Sequence, residues 1–187
     1  MYDISKWDLE SMWKTVIDKQ HLGVKYHYEM IEIFSLIDMK GYCMWQQYRF
    51  MEESKTKKDT DLHFINRFNK IYQPNISEET LIKKDYLNPN RYSVDNKRNI
   101  IDDIFTSWMK WENSVIEMLM GCVQWCILNQ CSDFLYFEEM LEDTTKELRT
   151  LQEHYSKLQD SKYNISDILE WQEYIYPKYK TKLYEKK

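Results

Sequence analysis

Residues 50–56 read FMEESKT, with two adjacent carboxylates, Glu52 and Glu53, and Thr56 one helical turn further on. Carboxylates bridge two cations while offsetting their charge, and imidazole adds a softer terminal ligand. A helical bundle that binds two metals in its core therefore needs an acidic side chain from each helix, ideally with a Glu-x-x-His pair. The acidic residues that matter are those interrupting or flanking an apolar stripe. Glu112 does so inside WMKWENSVIEMLM, and Glu142-Asp143 lie between Leu141 and Thr144. Gln20 holds the matching depth on an earlier stripe. Each position has two readings: a polar site inside a bundle, or a flank whose carboxylate reaches water or pairs with lysine. His21, His27, His63 and His154 supply no inward Glu-x-x-His pair on the second or fourth helix. His27, which falls on an apolar stripe, reads as a hydrogen-bonded core histidine.

Four helices would have to carry these groups. Apolar residues recur in alternating steps of three and four, the mark of helices packed in a bundle. The first stripe runs Leu9, Trp13, Val16, Gln20, Gly23, His27, Met30, Phe34, opened by a Ser5…Asp8 capping box. The second helix is expected from near Lys40 to about Tyr72. The third carries Ile101, Ile104, Trp108, Trp111, Val115, Met118, Cys122 and Trp125. The fourth carries Phe137, Leu141, Thr144, Leu148, Leu151, Tyr155 and Leu158, with Ser132 or Asp133 as its cap. Residues 73–98, which hold Pro74, Pro89 and several Asn, read as a long connection with one helical turn after Ser77. Such a link allows two antiparallel hairpins joined by a crossover. A short fifth helix is expected over 166–176, ended by Pro177.

Composition agrees. The 187 residues suit one domain, and three Gly and three Pro are too few for a turn-rich β fold. Seven Trp, fifteen Tyr and ten Met provide ample apolar area to bury. A net charge of −5 argues against a nucleic-acid partner, which calls for a basic face. The longest apolar run, VIEMLMGCVQWCIL, is too short to span a membrane. The sequence opens without a basic-then-apolar leader, so a cytoplasmic location is expected. Cys43, Cys122, Cys126 and Cys131 lack paired CxxC spacing, which argues for reduced core residues rather than a zinc site.

An ordered set of segments resembles the ferritin family. These are M30-I-E-I-F34, then D38-M-K-G-Y-C-M-W45, then E52-E53, followed by I104-F-T-S-W-M-K-W-E112 and D133-F-L-Y-F continuing to Glu142-Asp143. The likeness covers roughly residues 8–160. It implies an all-α, ferritin-like four-helix bundle, about 5–160, with a long crossover between helices two and three and a short fifth helix. It also implies a homo-oligomeric cage of twenty-four subunits that stores iron. Carried over by position, the family's ferroxidase ligands fall on Gln20, Glu53, Thr56, Glu112 and Asp143, with Glu142 as the neighbouring choice. Two strong ligands thus become a neutral amide and a hydroxyl, both poor ligands for iron. The resemblance therefore implies iron bound weakly at the intrasubunit site, with residual ferroxidase activity at best and no intact catalytic set. Ser54 stands where a haem-binding relative offers methionine, so no haem is expected. The competing reading is a shell or binding protein that keeps the bundle without iron chemistry. A DNA-protecting mini-ferritin would need a His and acidic arrangement that the sequence around His27 does not supply, and a rubrerythrin-type oxidase would need two Glu-x-x-His pairs, neither of which is present.

Overall fold

The computed structural model describes residues 2–76, 94–162 and 164–185. After a 3-10 turn at Ile4–Lys6 come α1 (Leu9–Leu36), α2 (Lys40–Phe68), α3 (Val94–Leu128), α4 (Phe134–Asp160) and α5 (Ile165–Glu185). Among the described residues there is no strand. The helical turn expected after Ser77 lies outside the described residues.

Local chemistry sets the helix ends. Asp8, not Ser5, caps α1: its carboxylate accepts from the Ser11 N–H at 2.7 Å, and the Ser11 hydroxyl accepts from the Asp8 N–H at 3.0 Å. This reciprocal pair satisfies two otherwise orphaned donors, which Ser5, held in the 3-10 turn, is not placed to do. α2 stops at Phe68, short of Tyr72, because Asn69 takes a left-handed conformation (φ 51°) that closes the helix. Asp133 precedes α4, but its side chain makes no capping bond and instead accepts from Trp13 Nε1 at 2.8 Å.

Two apolar clusters fill the bundle. One gathers the C-terminal half of α1 (Met30, Ile33, Phe34), the start of α2 (Tyr42, Trp45), the N-terminal half of α3 (Ile101, Ile104, Phe105, Trp108) and the end of α4 (Leu151, Leu158). The other gathers Met12, Trp13, Val16 and Ile17 of α1, Phe64 of α2, Met118, Leu119, Cys122 and Cys126 of α3, and Phe137 of α4. The N-terminal halves of α2 and α3 thus share one end and their C-terminal halves the other. The two helices run parallel, the arrangement of two hairpins joined by a long crossover.

The fifth helix differs from expectation. It continues through Pro177 to Glu185, because Ile168, Gln172, Ile175 and Tyr179 form a buried stripe that holds the turns on both sides of the proline. It packs on α2 at very close range. A Cβ on Gly41 would stand 2.5 Å from the Gln172 carbonyl oxygen, so only glycine fits. The Gly41 N–H, one of the orphan donors opening α2, donates to Gln172 Oε1 at 2.8 Å.

Candidate functional site

Between the two apolar clusters lies a polar layer. α2 contributes Arg49 and Glu53, one turn apart; α3 contributes Glu112 between Trp108 and Val115; α4 contributes Glu147 between Phe137 and Leu151; α1 contributes Gln20 and His27. Arg49 is 6 % exposed and Glu112 is 4 % exposed. A buried guanidinium persists only when carboxylates face it. Arg49 has them: Nη2 donates to Glu53 Oε1 at 2.7 Å, and Nη1 and Nη2 donate to Oε1 and Oε2 of Glu147 as a fork. Burial would lower the Arg49 pKa, but the charges of Glu147, Glu53 and Glu112 outweigh it and raise the pKa.

The carboxylates are out of balance with their one cation. Burial, the nearby Glu147 charge and Glu53 push the Glu112 carboxyl up to about 8, with Arg49 opposing. Burial likewise lifts Glu147 to about 7 and raises Glu53, again against the pull of Arg49. The layer therefore keeps a proton near neutral pH, most securely on Glu112, whose Oε1 accepts from Trp108 Nε1 at 2.8 Å. His27 is neutral, pushed down to about 3 by burial and then by Arg49. Gln46 Oε1, 2.7 Å from Nδ1, can only accept, so His27 carries its proton on Nδ1.

Of the residues singled out in the sequence, Glu53 and Glu112 meet around this layer, close enough to feel each other's charge. Gln20 is buried, and its Oε1 makes no hydrogen bond among the described residues. Thr56 turns its hydroxyl back to the Glu52 carbonyl at 3.2 Å. Glu142 and Asp143 point outward, 67 % and 75 % exposed, and pair with Lys146 at 2.8 and 3.5 Å. The phase of α4 brings Glu147, not these two, to the interior. The inward row runs Met140, Thr144, Glu147, Leu151, in steps of four, three and four. The sequence alone does not single out Arg49, and it reads Glu147 as one of the surface carboxylates of α4. The available signals were the Arg49–Glu53 spacing of four and the three-residue step from Thr144 to Glu147.

This donor set does not fit a di-iron centre. The guanidinium has five donors and no lone pair, and it holds the oxygens a metal would need. A dication about 4 Å from it would be repelled by roughly 8 kcal/mol at an effective dielectric of 20. Among the described residues, no group of three or more His, Cys, Asp and Glu is arranged to hold a metal ion. Beside the layer, Trp45, Arg49, Trp108, Glu147, Tyr179 and Lys182 line a cleft of about 380 Å³.

The fold is a ferritin-like four-helix bundle with a fifth helix docked on α2. Among solved structures, the chain is similar to an engineered closed form of the Archaeoglobus fulgidus ferritin: TM-score 0.72, 12 % identity, with 89 % of this chain and 93 % of that one covered. At that identity the likeness is one of fold. No family model and no curated protein matches the sequence. Among the described residues, no helix is long and apolar enough to cross a membrane.

Proposed function

We propose that this protein is a divergent member of the ferritin group in which an arginine has taken the place of the intrasubunit iron. It would serve as a structural or binding shell subunit rather than a ferroxidase. One observation carries the reading: Arg49 donates to Glu53 and Glu147 and lies in the field of Glu112, so an internal cation meets the carboxylates of α2, α3 and α4. The neutral Gln20 and the backbone-bonded Thr56 agree with it, since neither supplies charge or a strong lone pair to iron.

The test is to mix the apoprotein with ferrous iron in oxygenated buffer and follow ferric absorbance. The expected rate equals that of buffer alone, and Glu53→Gln leaves it unchanged. A fast phase that Glu53→Gln abolishes overturns the proposal. A second reading, storage of iron in a multi-subunit cage without the intrasubunit centre, draws on the exposed carboxylates Glu138, Glu139, Glu142 and Asp143 along α4. Sizing of the purified protein, followed by its iron content after growth in iron-rich medium, separates the two.

A further inference from the structure

We propose that Cys126 and Cys131 form a dithiol that peroxide converts to an intrachain disulfide, a modification site at the junction of α3 and α4 remote from the arginine layer. The backbone brings the pair together. At the end of α3, Gln130 is left-handed (φ 52°), the Cys131 N–H donates to the Cys126 carbonyl at 2.9 Å, and the Gln130 N–H donates to the Ile127 carbonyl at 3.3 Å. These two bonds are the six-to-one and five-to-two bonds of a Schellman cap, in which the side chains of the first and sixth residues touch. Here those residues are Cys126 and Cys131, and their thiols interact directly. A disulfide needs Cα atoms close together, and the two backbone bonds draw the chain from Cys126 to Cys131 into one tight loop.

Exposure divides the roles. Cys131 is partly accessible, whereas Cys126 has no exposed surface. Burial, followed by the neighbouring Cys131, pushes the Cys126 thiol up to about 12, so it stays protonated until a partner is oxidised. The Cys131 sulfur attacks one peroxide oxygen, the O–O bond breaks, and the departing hydroxide leaves as water with the Cys131 proton, giving a sulfenic acid at Cys131. The Cys126 sulfur then attacks that sulfur, the S–O bond breaks, and the hydroxyl departs with the Cys126 proton as water. In total, two thiols are oxidised and one hydrogen peroxide is reduced to two waters. Cys122, one turn up α3, is fully buried, and the thiol of Cys43, on α2, donates to the Ile31 carbonyl and has its pKa pushed up by burial, so both stay reduced.

The experiment treats the full-length protein with an equimolar amount of hydrogen peroxide, then counts free thiols and maps the peptides. The expected result is loss of two of the four thiols. One peptide holding Cys126 and Cys131 becomes lighter by two hydrogens, and dithiothreitol reverses the change. Cys122→Ser leaves it intact, Cys131→Ser prevents it, and Cys126→Ser stops at a sulfenic acid that dimedone traps on Cys131. Retention of all four thiols overturns the proposal, as does a disulfide that uses Cys43 or Cys122 or joins two chains.

Discussion

At the residue scale, Arg49 decides what the bundle interior can do. Removing a buried partner from an ion pair costs about 3–5 kcal/mol, because the remaining charges keep their desolvation penalty without attraction. Arg49→Met, which preserves much of the volume, is expected to lower unfolding free energy by about that amount at pH 8. The loss should be smaller at pH 5, where the carboxylates take up protons; denaturant titration at the two pH values checks this. Glu112 supplies a second test. Its folded-state pKa of about 8 lies above the ordinary value of 4.5, so its stabilising contribution is complete below pH 4.5 and lost as pH rises toward 8. The slope is at most about 1.4 kcal/mol per pH unit. Glu112→Gln keeps an acceptor for Trp108 Nε1 and cannot ionise, so the fall in melting temperature between pH 5 and pH 8 should flatten. An unchanged slope would move the titration elsewhere in the layer. Glu53 and Glu112 were legible because each interrupts an apolar stripe. Arg49 was not, because a cation inside an acidic layer is defined by partners on other helices.

At the element scale, periodicity and cap chemistry account for most of the bundle, and tertiary contacts account for the departures. The stripes of α1 and α3 located those helices, while the end of α2 depended on the left-handed Asn69. The fifth helix was expected to stop at Pro177 because an interior proline removes one N–H and crowds the preceding turn. Burial of Ile175 on one side and Tyr179 on the other outweighs that local cost. Its partner surface depends on Gly41, whose role no local pattern shows, because its contact with Gln172 lies 131 residues away in the chain. Gly41→Ala drives a methyl against a backbone carbonyl, which cannot yield as a flexible side chain would. Overpacking of this kind costs about 1–3 kcal/mol. The expected result is partial release of α5, read as faster tryptic cleavage after Lys178, Lys180 and Lys182 and as a shift in Trp171 emission. Cleavage and emission like those of the unaltered protein would mean the two helices can separate without loss.

At the scale of the whole molecule, the parallel course of α2 and α3 and the central polar layer belong together. Two hairpins joined by a crossover set four helices so that each offers one side chain to the same depth, and the fold alone does not say whether that depth holds a metal. The stripes revealed the depth, but its occupant depended on the phase of α4, where Glu142 and Asp143 turn to solvent and Glu147 turns inward. If Arg49 is the resident cation, the folded state has nothing to gain from a divalent ion. A ligand bound only by the native state at a hundred times its dissociation constant adds about 2.7 kcal/mol. Manganese, which imitates ferrous iron without oxidising, should therefore leave the melting temperature of the unaltered protein where it is. Arg49→Ala changes the balance, since it leaves Glu53, Glu112 and Glu147 facing a vacated volume with excess negative charge. That variant should be destabilised in chelator and regain much of its melting temperature as manganese is added, and Glu112→Gln in the same background should blunt the recovery. A rise in melting temperature of the unaltered protein with manganese would show that the arginine and a metal can share the layer, and the bundle would then return to the metal-binding class.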